Sequence, residues 1–239
     1  MADQKQPQKQ SKAGRVVRWI GIIILLLISL ALIFNQQIKY YLVGQYRPTI
    51  TRTTVARNEK KQASYDFGNV SDLNLSSVAK ARASRAQINV IGTIAIPKIN
   101  MTVPIAKGVD NTTLALAAGT MRPDQKMGQG NYPLAGHNMA SGSKILFSPL
   151  YYSAKPGQMV YLTDMKNVYV YKIYQRKFID ANRVDVVNNT PQKILTLVTC
   201  DATGARRLMI RASFVKSEPF HHASPHVQKA LSAKYTNGR

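Results

Sequence analysis

From Trp19 to Phe34 the chain runs without a charged residue, through an almost unbroken series of isoleucines and leucines. As a helix, at about 1.5 Å per residue, this stretch covers roughly 24 Å, slightly short of a ~30 Å hydrocarbon core. Val16 and Val17 lengthen it on one side and Ile38 on the other, while Arg18 and Asn35 to Gln37 reach toward the headgroups. Residues 19–38 are therefore expected to form a transmembrane anchor, with Tyr40, Tyr41 and Tyr46 in an interfacial aromatic belt. A cleaved signal peptide would start the same way, but Asn35-Gln36-Gln37 offers no small-x-small cleavage site after Phe34.

The flanking charges orient this segment. Lys5, Lys9, Lys12, Arg15 and Arg18 precede it, and only Lys39 and Arg47 closely follow it. The positive-inside rule then predicts a cytoplasmic basic tail at 1–18 and an extracellular remainder, hence a single-pass membrane protein facing outward. The whole chain holds 33 Lys and Arg against 11 Asp and Glu, a net charge of +22. Such a balance suits polyanionic neighbours. For a domain outside the cell these are anionic lipid and wall polymers, with no role for nucleic acid.

Residues 39–87 are polar, rich in Thr, Lys and Arg, and show no sustained apolar period before Leu73. They read as an extracellular stalk or linker with room for one helix. Ser71 is an expected N-cap, and Leu73, Leu75, Val78, Ala79, Ala83 and Ala86 would share a face.

From Ile88 the texture changes to short strands between turn residues. Strands are expected at Ile88 to Pro97, Met101 to Ala106, Asn131 to Gly136, Met159 to Thr163, Val168 to Ile179, Ile194 to Cys200 and Arg207 to Val215. A short helix from Asp110 to Ala118, capped by Asp110 or Asn111, and one helical turn at Ser148 to Tyr152 interrupt them. Seven or eight strands at this spacing suggest a mostly β fold, a closed or nearly closed barrel. Pro133 lacks a backbone donor, so the strand that contains it is expected to be an edge or to bulge there.

Cys200, which ends the run Thr196-Leu197-Val198-Thr199-Cys200, is the only cysteine. One cysteine forms no internal disulfide, and a thiol attacks carbonyls only as its thiolate, so a working Cys200 needs a histidine or a cation beside it. His137, in Leu134-Ala135-Gly136-His137-Asn138, stands just past a strand at a glycine that lets the backbone turn. If the last two strands are antiparallel neighbours, the connection from Asp201 to Arg206 returns the chain so that Arg207 lies beside Cys200, with Arg206 the alternate on the opposite face. A fixed cation there can stabilise a thiolate and the oxyanion that follows attack on a carbonyl.

Taken together, Leu-Ala-Gly-His-Asn around His137, Thr-Leu-Val-Thr-Cys at 196–200 and Arg-Leu-Met-Ile at 207–210 resemble the sortases, specifically the class A housekeeping group of Gram-positive bacteria. The resemblance covers roughly Asn89 to Lys216. It implies a sortase-type eight-stranded β-barrel with short helices as the catalytic domain, residues 88–216, behind the N-terminal transmembrane helix. It also implies a cysteine transpeptidase acting on secreted proteins that carry a C-terminal Leu-Pro-x-Thr-Gly (LPXTG) sorting signal. Cys200 would attack the Thr–Gly carbonyl and form a thioester. His137 would serve as general acid and then general base, and Arg207 would hold the oxyanion. An amine of the peptidoglycan precursor lipid II would resolve the thioester and anchor the protein to the cell wall.

The same resemblance assigns the sorting signal to a groove. The loop from Ile179 to Val187, with Ala181, Val184 and Val186, would bind its Leu-Pro part, and Ala135, Val198 and Thr199 would line the floor. Some class A members bind calcium through several acids, but only Asp110, Asp124, Asp180 and Asp185 are available here, so no metal and no cofactor are expected. The polar C-terminal tail, residues 217–239, has no counterpart in the family, and it is expected to lack a fold of its own despite His221, His222 and His226.

A pilus-type sortase would add an Asp-Pro-aromatic lid segment and a second apolar span, and neither is present. L,D-transpeptidases carry Ser-x-Gly-Cys-x-Arg, and papain-like peptidases place the cysteine before the histidine; this chain does neither. The alternatives are a non-catalytic, basic wall- or lipid-binding module on a sortase-like barrel and, with those features against it, a pilus-type sortase.

Overall fold

The computed structural model describes residues 12–68, 70, 74–84, 88–139, 144–201 and 203–233. The chain divides into two units, residues 1–38 and residues 39–239. The first holds α1 (Lys12–Ile33), a helix long and apolar enough to cross a membrane, none of whose residues is buried. It begins earlier and ends earlier than the span expected at 19–38. Helix α2 (Asn35–Gly44) follows.

The second unit includes the segment expected to be a stalk, and here the structure departs from the sequence reading. Val43, Tyr46, Val55, Val78 and Ala81 all belong to the same buried apolar cluster as the barrel interior. Tyr46 is thus packed in protein rather than set in an interfacial belt, whereas Tyr41 is exposed. Two short helices deliver these side chains. In α3 (Arg52–Glu59), Thr51 and Thr54 form a reciprocal capping box, and in α4 (Leu75–Ala83), Asn74 and Ser77 do the same. The cap of α4 is Asn74; the expected Ser71, like Leu73 and Ala86, lies outside the described residues. The buried face of α4 is Val78 and Ala81, while Ala79 and Ala83 point to solvent.

Eight strands follow: β1 (Val90–Ile96), β2 (Met101–Ala106), β3 (Ala118–Thr120), β4 (Asn131–Ala135), β5 (Met159–Thr163), β6 (Asn167–Asp180), β7 (Ile194–Cys200) and β8 (Arg206–Pro219). They close in the order β1-β2-β3-β4-β7-β8-β6-β5. Pairing is antiparallel except for β2 with β3 and β4 with β7. Helices α5 (Asn111–Leu116) and α6 (Ser148–Ser153) fill connections. Asp110 caps α5 as expected, accepting from Thr113 N at 3.0 Å, but the helix stops early so that Ala118 to Thr120 can pair as β3.

Closure makes β4 an interior strand, not an edge, and its register with β7 runs unbroken through Pro133. The missing donor is tolerated because the β3 ladder ends at Leu134, so no strand lies beside Pro133 on that side. There the Pro133 carbonyl accepts from Met121 N at 3.2 Å and from Gln125 Nε2 at 2.9 Å.

All seven residues of β1 are buried, so both of its faces are covered. Part of that cover is the C-terminal segment, which is folded rather than loose. Beyond β8, Ser224 caps α7 (Pro225–Ser232), and Val227 and Leu231 pack with Ala95, Val168 and Val170. Thr102 Oγ1 donates to the Ala230 carbonyl at 3.2 Å. Apolar residues four apart on one helix face supply the contact that the polar composition of the tail conceals.

Candidate active site

Strands β4 and β7 run parallel, with Ala135 opposite Val198. Just beyond that rung, Gly136 N donates to the Val198 carbonyl at 3.1 Å and the Thr199 hydroxyl donates to the Gly136 carbonyl at 2.6 Å. Gly136 is required here by close approach: a Cβ would sit 2.6 Å from the Phe147 ring. The backbone therefore leaves β4 at a fixed point, and His137 is the next residue.

His137 is held by its neighbours on both sides. Its carbonyl accepts from Phe147 N at 3.1 Å, the Asn138 side chain donates to the Cys200 carbonyl at 3.0 Å, and Met139 N donates to Ser148 Oγ at 2.7 Å. The Asn138 bond ties the histidine loop directly to the end of β7. In the sequence Asn138 is only the last residue of the histidine motif and Ser148 only the start of a helical turn, because the role of each depends on a partner elsewhere in the chain.

Cys200 and Arg207 are directly opposite one another on the antiparallel β7–β8 ladder. Side chains on one rung project to one face of a sheet, and Val198, two residues before Cys200, shares that face. The connection between them is a tight turn. Asp201 N donates to the Arg206 carbonyl at 3.0 Å, Thr203 N and its hydroxyl both donate to Asp201 Oδ1, and Gly204 takes the left-handed conformation at φ 77°. Burial pushes the Asp201 carboxyl up, but hydrogen bonds from the Thr203 side chain and from turn backbone outweigh it and hold the group below its ordinary value.

The two arginines part company at this turn. Arg206 lies over the Phe178 ring at 5.0 Å and 3.7 Å from Asp201 Oδ2. Arg207 lines the cavity that Cys200 and His137 also line, and its Nη1 donates to the Gly204 carbonyl at 2.8 Å and to the Arg206 carbonyl at 3.3 Å. Among the described residues, its Nε and Nη2 have no partner.

That cavity, of about 470 Å³, also takes in every side chain expected to bind substrate: Ala135, Ala181, Val184, Val186, Val198 and Thr199. They are not equivalent. Val186 is buried in an apolar cluster with Leu114, Met121, Ile179, Val198 and Met209, which forms the floor, whereas Val184 is 65% exposed on the rim. The hydroxyl of Thr199 is already engaged by Gly136. Phe67 and Val70, from the segment before α4, close a further side that the sequence did not indicate.

The loop wall is fastened by residues also missed in the sequence. Asn131, fully buried, accepts from Thr196 Oγ1 at 2.8 Å and donates to the carbonyls of Val186 and Asn188, each at 2.9 Å. Arg122 Nη1 donates to the Val187 carbonyl at 2.8 Å. On the solvent side Arg183 grips Asp185 through both carboxylate oxygens, at 2.6 and 2.8 Å, and these bonds hold the Asp185 carboxyl below its ordinary value. Of the acids considered as cation ligands, Asp110 caps α5, Asp124 pairs with Arg122 and Asp185 pairs with Arg183. Among the described residues, no group of three His, Cys, Asp or Glu side chains is placed to hold a metal ion.

Known proteins share this architecture and sequence. The family model for the sortase domain matches residues 94–215, from within β1 to within β8. Sortase A of Streptococcus agalactiae is 38% identical over 230 residues, 92% of this chain and 93% of that protein. Sortase A of Listeria monocytogenes is 39% identical over 188 residues, 75% of this chain and 82% of that protein. The crystal structure of the Listeria enzyme superimposes with a TM-score of 0.54 at 36% identity, covering 63% of this chain and 99% of that one. Likeness on this scale, running through the barrel strands and beyond them, makes the chain a member of the sortase family and a transpeptidase of the sortase A type.

Proposed function

We propose that this protein is anchored by α1 with its N-terminus in the cytoplasm, cleaves LPXTG sorting signals of secreted proteins between Thr and Gly, and transfers them to an amine of lipid II. In this reading Cys200 passes its thiol proton to His137, and Sγ attacks the Thr carbonyl carbon as the thiolate. The carbonyl oxygen takes up the negative charge beside the Arg207 guanidinium, whose Nε and Nη2 are available among the described residues to receive it. Collapse breaks the C–N bond as His137 gives a proton to the departing glycine amine, leaving a thioester. The incoming amine attacks that thioester, His137 takes its proton, and the thiol is restored as the new amide forms.

The observation that carries this reading is the Cys200–Arg207 rung, with His137 on the same cavity and an apolar floor beside it. The floor suits the leucine and proline of such a signal, because aliphatic side chains recover hydration free energy there at about 25 cal/mol per Å². Five cations ahead of the apolar run that starts at Trp19, three of them in the first turns of α1, support the orientation.

The test uses the full chain in detergent micelles with an LPXTG peptide and a small amine, followed by intact mass. A thioester adduct that passes to the amine and vanishes in Cys200→Ala is the expected result. Absence of any adduct while an alkylating reagent modifies Cys200 would overturn the reading.

A further inference from the structure

A second cavity, of about 360 Å³, lies in the segment between the apolar helix and the barrel. Four cations line it, and they come from separate pieces of chain: Arg47 before α3, Arg57 within it, Lys61 just after it, and Arg82 in α4. Among the described residues, no Asp or Glu lines this cavity. The ion pairs among the described residues lie elsewhere, at Asp124, Asp185, Asp201 and Glu218. One wall is fixed to the barrel by the buried Asn58, whose amide donates to the Val90 carbonyl at 2.8 Å.

Like charges gathered at one concavity raise one another's energy, and protein surfaces ordinarily intersperse the two signs. An anion relieves that repulsion. We infer that this cavity binds a phosphate-bearing anion, a diphosphate or a phosphodiester headgroup. Three of the four cations are arginines, whose planar donor forks match phosphate oxygens two at a time, and four positive charges exceed what one carboxylate neutralises.

Two sources share this chemistry, a lipid headgroup and a soluble phosphate. The lipid source rests on the proposal that α1 lies in a membrane. Gln45, at the cavity, follows the end of α1 by about a dozen residues, a length of chain that reaches no farther than ~40 Å.

The test titrates the full chain, in phosphatidylcholine nanodiscs, with inorganic diphosphate by calorimetry. One diphosphate per chain is expected, bound at least tenfold more weakly by the Arg57→Gln/Arg82→Gln double variant. A Lys172→Gln/Lys229→Gln pair, which removes the same charge elsewhere, should stay within twofold of the parent. No saturable binding, or equal weakening in both pairs, would overturn the site. Repeating the titration in nanodiscs with phosphatidylglycerol or with oleate at matched charge separates the sources: competition by the phospholipid beyond that by oleate assigns a headgroup, and equal behaviour assigns a soluble phosphate. Transfer from a sorting peptide should remain at the parent level in the Arg57/Arg82 variant, so a failed catalytic reading would leave this result standing.

Discussion

The barrel interior and the groove floor are made of the same residue types, yet only one of them is finished. Inside the barrel Ile94, Ile105, Leu134 and Leu162 are wholly sequestered, each met by side chains from strands across the closed sheet. In the groove Val198 and Met121 keep about 8% of their surface, and Val184 on the rim keeps 65%. The interior draws its partners from this chain alone, whereas the groove floor leaves room for side chains from elsewhere. An apolar patch that stays open beside Cys200 is what the proposed binding of an aliphatic peptide requires.

Substitutions should therefore separate activity from stability according to region. The largest effect is expected for Cys200→Ala, which removes the proposed nucleophile from a half-buried strand end: transfer should fall at least 10³-fold while the melting temperature hardly moves. Leu162→Ala should do the reverse. It opens a cavity in the closed interior and should lose about 3 kcal/mol in denaturant unfolding, with turnover per folded molecule unchanged. A Leu162→Ala protein of full stability would show that the interior is no tighter than the groove.

Between these extremes stands Asn131, which belongs to both regions. Asn131→Ala leaves the buried Thr196 hydroxyl and two loop carbonyls without their partners, so about 2 kcal/mol of stability should be lost. The loop wall should loosen with it, raising KM for a sorting peptide. Val198→Ala comes next, on the floor itself. Losing two methyl groups there should cost about 1 kcal/mol of stability and, on the proposed reading of the groove, raise KM several-fold with kcat little changed, because uniform binding serves substrate and transition state alike.

Legibility in the sequence followed the range of the interactions involved. Strands β2, β5 and β7 begin and end where their residue patterns predict, since alternation and turn residues are local. Strand β3 was hidden because Ala118-Gly119-Thr120 is too short to show a period and exists through two rungs with β2. The residues read as catalytic were conspicuous because their chemistry is rare: one cysteine, one histidine after a glycine, and one arginine at a strand start. The groups that fasten the histidine loop and the groove wall, Asn138 for the first and Asn131 and Arg122 for the second, look ordinary until distant carbonyls arrive beside them. The supposed stalk was misread for a related reason. Val43, Tyr46, Val55 and Val78 are scattered over three short segments, so no single segment carries a period even though all four enter one core. For α7 a local signal did exist, in Ser224-Pro225 followed by Val227 and Leu231.

The smallest effect concerns the rim, where polar contacts rather than apolar burial set the geometry. Asp201 holds the turn that carries Arg207 back beside Cys200, and hydrogen bonds from Thr203 keep its carboxyl below the ordinary range despite the burial that pushes it up. A carboxyl whose folded pKa is depressed binds protons less readily when folded than when unfolded. Its contribution is therefore fully present above the unfolded value, about 3.9, and is lost as pH falls through the folded one. Thermal unfolding of the parent and of Asp201→Asn should accordingly differ between pH 5 and 7, with the parent more stable, and the two curves should converge near pH 2. A gap that persisted unchanged at pH 2 would mean that the turn depends on the hydrogen-bonding pattern of the carboxyl group and not on its charge. In that case the rim would resemble the barrel interior more than the groove, and the division between a finished core and an open site would have to be drawn closer to Cys200.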